Sequence, residues 1–166
     1  MQIWFKVQVQ QPSYHNRQSL EPPQSLLTSP PSLRLPNGQY DFTIISQTEQ
    51  SDWPSSGLTG HNVVQVRLIF CLLHSDIFLA YIQCLNATVD NAAGMYALKC
   101  AIRNNDTRVG EVIPLCYICS PAHTIPRFGK EANPWLTLHT SYELSNEFWL
   151  NKYWSKEFFY MLSLST

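Results

Sequence analysis

The first ten residues alternate, with Ile3, Phe5, Val7 and Val9 on one side of an extended chain and Trp4, Lys6, Gln8 and Gln10 on the other. A period of two predicts a half-buried strand. From Gln11 to Gly38 the alternation stops. This segment holds six of the eleven prolines, including Pro22-Pro23 and Pro30-Pro31, and each proline removes a backbone donor that a helix or a central strand needs. It reads as an extended strap. Its scattered Leu20, Leu26, Leu27, Leu33 and Leu35 predict that it packs along the body of the protein, because a free tether is poorer in such residues.

Tyr40 to Ser46 reads as a second strand, followed by a polar turn region, QTEQSDWPSSGLTGH. Four more strands are predicted at Val63 to Leu73, Ile77 to Leu85, Met95 to Ile102 and Val112 to Cys119. Each is rich in β-branched, Leu or aromatic residues and bounded by Asn, Asp, Gly and Ser clusters. The short link at His74 to Asp76 and the polar one at Asn86 to Gly94 fit hairpin connections. After Pro134 the character changes. Thr140 or Ser141 can cap a helix with Glu143 in its first turn, and Leu144, Phe148 and Tyr153 recur near helical spacing. A second helical segment is predicted from Ser155, carrying Phe158, Phe159, Met161 and Leu162.

The chain therefore divides into a first strand (1–10), a proline-rich connecting strap (11–38), an antiparallel β core (39–130) and an aromatic-rich helical tail packed on that core (131–166). The fold class expected is mainly β (α+β): a small antiparallel barrel of the SH3-like or chromatin-reader type, closed so that no sheet edge is exposed, with C-terminal helical segments.

Composition changes this picture little. Of 166 residues 45% are hydrophobic and 13% aromatic, enough for one well-filled core. A net charge of −1 removes bulk attraction to nucleic acid or membrane, so any such binding is local. No apolar run approaches the roughly twenty residues of a membrane span. MQIWFKVQVQ lacks the apolar core of a secretory signal, and the five cysteines form an odd set lying mostly in apolar runs. An intracellular setting, without membrane contact, is expected.

The chemistry-bearing residues are sparse. Cys116 and Cys119, with His123 and His139, imitate a zinc ligand set. Residues three apart on one continuous strand face opposite ways, however, and buried thiols are commonly plain core residues. Asp41, Asp52, Asp76, Asp90 and Asp106 fall where turns favour Asp, and the five histidines share no spacing that pairs them. No nucleophile elbow or phosphate loop is present. Neither a catalytic residue nor a metal or other cofactor is expected. Lys99, Arg103, Arg108, Arg127 and Lys130 give residues 99–130 a net charge of plus three and could contact the phosphates of a nucleic acid, against the alternative of an ordinary solvated face. Tyr81 and Tyr96 are candidates for an aromatic cage around a methylated lysine, or for core rings.

Several strings, in order over about residues 3–160, resemble a known family: IWFKVQVQQPSY, SDWPSSGLTGHNVVQVRLIF, FLAYIQCLN, GMYALKCAIRN, GEVIPL, SPAHTIPRFG and SYELSNEFWLNKYWSKEFFY. They look like the C-terminal region of transposon-encoded proteins of mushroom-forming fungi, of the Plavaka-type, transposase-associated kind. In two places the chain departs from that family: a shorter loop at His74 to Asp76, and cysteines at 84, 116 and 119 where polar residues are more usual. The resemblance implies a terminal piece that follows a transposase-like portion, in a nuclear, DNA-handling setting, and it transfers no site residues. Three functions follow in order of preference: a non-catalytic accessory module that contacts protein or nucleic acid, a decayed gene fragment without function, and an enzyme with an unrecognised site. The partners expected are nucleic acid or the upstream transposase-like portion.

Overall fold

Strands leave unpaired donors and acceptors at every edge, and the arrangement of this chain follows from how those edges are covered. The structure is a computed structural model that describes residues 1–129, 134–137 and 140–163. Twelve strands form among these residues: β1 (Gln2–Trp4), β2 (Lys6–Val9), β3 (Gln24–Ser29), β4 (Gln39–Tyr40), β5 (Phe42–Ser46), β6 (His61–Cys71), β7 (Phe78–Asp90), β8 (Met95–Cys100), β9 (Gly110–Pro114), β10 (Ile118–Ala122), β11 (Thr124–Pro126) and β12 (Glu147–Leu150). Two short helices, α1 (Ser141–Leu144) and α2 (Lys156–Ser163), complete the described elements with two 3-10 turns. The protein is mainly antiparallel β with a small C-terminal helical part.

Nine strands make one sheet in the order β10-β5-β6-β7-β8-β12-β11, with β1 added to β6 and β9 to β7. The long β6 and β7 make this possible. The first part of β6 pairs with β5 and its end with β1, across a register shift at Arg67. Likewise β7 pairs with β9 over Leu79–Gln83 and with β8 over Leu85–Asp90. The remaining strands, β2-β3-β4, form a small second sheet.

The central strands are covered on both sides, which accounts for their near-continuous apolar runs. On one side Phe42, Ile44, Val63, Leu85, Leu98 and Phe148 pack with Phe158, Met161 and Leu162 of α2. On the other, Ile45, Val64, Val66, Ile69, Ile82 and Ile113 pack around Leu26 of β3, which is fully buried. Large side chains of this kind each contribute about 1.5–3 kcal/mol on leaving water. The proline-rich strap thus supplies a covering strand, and α2 closes the opposite face.

The structure corrects several expectations. The barrel is not closed: the sheet path ends at β10 and β11, consecutive strands joined by His123 that pair with β5 and β12 and not with each other. A single-residue link is shorter than the two-residue loop that the tightest common hairpin needs, so these strands continue past one another and do not close the sheet. Ile3 to Val9 is two strands, broken at Phe5, whose carbonyl accepts the Thr28 N–H as the chain passes between sheets. Val112 to Cys119 also divides, at the 3-10 turn Leu115–Tyr117. β7 runs on to Asp90, so the expected loop at Asn86 to Gly94 shrinks to a turn with Gly94 at φ +61°. Phe148, expected in a helix, lies in β12 between β8 and β11. The second helix does form, and the Ser155 hydroxyl accepts the Phe158 N–H at its start, 3.1 Å away. No helix among the described residues is long and apolar enough to cross a membrane.

Candidate functional site

At Asp41 the chain leaves the small sheet and enters the large one, and this crossing builds one wall of a cleft of about 670 Å³. Asp41 substitutes for a rung of the ladder. Its N–H donates to the Leu27 carbonyl (3.0 Å), its Oδ2 accepts from the Leu27 N–H (2.8 Å), and its carbonyl accepts from Val66 (3.0 Å). Burial pushes the Asp41 carboxyl above its usual range, against the opposing pull of the Leu27 N–H and Gln39. The rim beside it is the turn at Gly38, whose φ of +72° only glycine adopts without strain. A Cβ there would sit 2.6 Å from the Ser29 carbonyl and 2.8 Å from the Tyr40 ring.

The seam residues Pro121 to Thr124, together with Tyr142, Glu143 and Trp154, form the opposite wall. The Tyr142 hydroxyl donates to the Thr124 carbonyl at 2.9 Å while its ring stacks on Phe148. Burial, and then the negative charge of Asp41, raise the Tyr142 phenol above its usual range, so it stays a neutral donor. His123 lies flat on Trp154, with centroids 4.5 Å apart and planes 4° apart, and its Nδ1 accepts from Asn151 Nδ2 at 3.2 Å. Burial pushes the His123 imidazole below its usual range, so at neutral pH it is uncharged. The free face of Trp154 stays in solvent, with 55% of the residue exposed.

Two features set the cleft's electrostatics. Glu143 is ion-paired with Arg67, whose guanidinium also lies 3.7 Å over the Tyr40 ring. Among the described residues lining the cleft, that leaves Asp41 as the carboxylate without an ion pair. In addition, Thr124 is only 3% exposed, and its Oγ1 is the one buried side-chain polar atom among the described residues that has no hydrogen-bond partner. A buried hydroxyl in that state costs about 1–3 kcal/mol, and because Thr124 pairs across from fully buried Leu150, that cost is borne inside the core.

The residues singled out by sequence lie elsewhere. Lys99 reaches Glu147 at 3.8 Å, and Arg127 lies between Glu147 (3.7 Å) and Asp90 (3.9 Å) with its guanidinium over Trp149. Arg108 is turned inward, donating to the carbonyls of Glu143 (2.7 Å) and Ser145 (3.1 Å). Arg103 sits in an exposed turn, and Lys130, like His139, lies outside the described residues. Glu147 thus brings Lys99 and Arg127 together, but acids are interleaved with them, and among the described residues no continuous basic face results. Tyr81 pairs across from Leu68 and Val112, whereas Tyr96 pairs across from Val89. Eight residues of β7 separate those positions, about 26 Å of extended strand, too far for one cage. Cys116 is exposed on the 3-10 turn, and Cys119 points to the Ser51 hydroxyl at 3.4 Å.

One pairing went unread in the sequence. His61 donates from Nδ1 to the Thr59 carbonyl (2.9 Å), so its Nε2 accepts the Ser51 hydroxyl proton at 2.8 Å, the polarity of a serine nucleophile. Ser51 Oγ, however, also accepts from the Trp53 N–H (3.1 Å) and lies against the Cys119 thiol (3.4 Å). The hydroxyl's donor and one acceptor site are thus spent bracing the turn that buries Trp53, with the thiol packed beside it. In the cleft itself, the basic nitrogen of His123 is likewise occupied, by Asn151.

No curated protein and no solved structure matches the chain. Residues 1–100, which carry the Asp41 wall and the central strands, match the family described as Domain of unknown function (DUF6830). Since that match covers more than half of the 166 residues, the chain belongs to the DUF6830 family.

Proposed function

We propose that this chain is a non-catalytic binding module that works through the cleft between Asp41 and Trp154. The observation that carries the reading is the wall composition: aromatic rings with a few fixed polar groups, and no nucleophile and base left free to act on one another. Binding sites of this size are concave, mostly apolar, and orient a ligand with few polar contacts. Catalysis would need a base within hydrogen-bond reach of a nucleophile, and the two histidine pairings described above are consumed structurally. The resemblance to a terminal region of transposon-encoded proteins supplies a context for such a module, as an accessory to an upstream portion that holds the chemistry. Contact with nucleic acid is the weaker version of this proposal, because Lys99, Arg108 and Arg127 are engaged within the chain.

The test is a fragment library titrated into the isotope-labelled protein and read by amide and indole shifts. Shifts clustered at residues 35–42, 121–124 and 142–154 are expected, and Tyr142→Ala should abolish them. Shifts scattered over the surface, or confined to the Ser51 turn, would overturn the assignment.

A further inference from the structure

Resting on that reading, we infer that the cleft binds a primary ammonium group, held by the Asp41 carboxylate and bordered by the ring faces of Tyr142 and Trp154. Charge comes first. Arg67, the guanidinium beside the cleft, is neutralised by Glu143 and stacked on Tyr40, and His123 is uncharged, so an anion would meet Asp41 with nothing to offset the repulsion. A cation would supply the missing countercharge to a carboxylate that burial already penalises.

Hydrogen bonding narrows the class. An ammonium group carries three donors and no acceptor. Asp41 uses Oδ2 on Leu27 and retains further lone pairs for a donor in the cleft. A quaternary ammonium has no N–H to donate to that carboxylate. The rings complete the fit, because Tyr142 is 39% and Trp154 55% exposed, and ring faces attract cations within about 6 Å. The same chemistry is offered by a free amine, a lysine side chain or a peptide N-terminus.

Calorimetric titration of the full chain with benzylamine, N-acetyl-lysine methylamide and the dipeptide Gly-Phe separates these three sources. Benzyl alcohol serves as the neutral counterpart of benzylamine, and benzoate as the anion. At least one ammonium probe should bind, with benzyl alcohol weaker by roughly tenfold or more, as loss of a charge-assisted bond predicts. Asp41→Asn should remove that preference, and Trp154→Leu, at an exposed position that leaves the fold intact, should weaken ammonium binding by about threefold. Equal binding of benzylamine and benzyl alcohol in the cleft, or a cleft that takes other fragments but no amine, overturns this inference and leaves the binding module standing. A cleft that takes no fragment of any charge overturns both.

Discussion

Asp41 serves both the fold and the site, and its protonation separates the two roles. Burial holds its folded-state pKa above the ordinary 3.8, so the stability it contributes is full below that value and is lost as pH rises through the raised one. Asn can keep the Leu27 N–H bond through its side-chain oxygen without carrying the charge. Urea unfolding of the wild type and Asp41→Asn should therefore show the variant gaining on the wild type between pH 4 and pH 7. A gap independent of pH would mean that the carboxylate is not desolvated. In the sequence this residue reads as an ordinary turn aspartate, because nothing local to Tyr40-Asp41-Phe42 records that two sheets meet there. Thr124 and Trp154 were illegible for a related reason: whether a hydroxyl lacks a partner, or a ring lacks cover, depends on distant chain. Sequence shows that rings abound from Phe148 to Tyr160, yet only the fold separates buried Phe148 and Phe158 from exposed Tyr153 and Trp154.

Elements were legible where pattern and length agreed. β5, β6, β7 and β8 fall within a few residues of their expected positions because β-branched and apolar residues run long enough to outweigh local alternatives. β12 did not, since Leu144, Phe148 and the polar residues between them imitate helical spacing, and a four-residue strand is too short to show its own period. β3 was hidden by the prolines around it, although Gln24 to Ser29 contains none. The α1 segment has four residues and no side-chain cap, so its position depends on what holds it. Arg108 does much of that, through the carbonyls of Glu143 and Ser145. Arg108→Ala should destabilise the fold by about 2 kcal/mol, the scale for losing bonds to a charged donor, with the largest hydrogen-exchange increase in residues 140–146. An unchanged denaturation midpoint would show the clamp to be incidental, and a fall in DNA affinity at constant stability would restore Arg108 to the phosphate-contact role read from sequence.

For the molecule as a whole, the decisive feature is an open seam where a closed barrel was expected. β10 and β11, joined by His123 alone, do not pair with each other, and the walls of the cleft are completed by Asp41 on one side and by α1 and Trp154 on the other. Its two walls come from chain segments about eighty residues apart, which is why composition and spacing could not reveal it. The family match covers the Asp41 wall, while Tyr142 and Trp154 lie beyond residue 100. The most direct measurement is a crystal structure of the chain grown with benzylamine. The ammonium nitrogen is expected within hydrogen-bond distance of the Asp41 carboxylate, with the ring against Trp154 or Tyr142. An amine bound outside the cleft, or a cleft left empty at saturating amine, would contradict it.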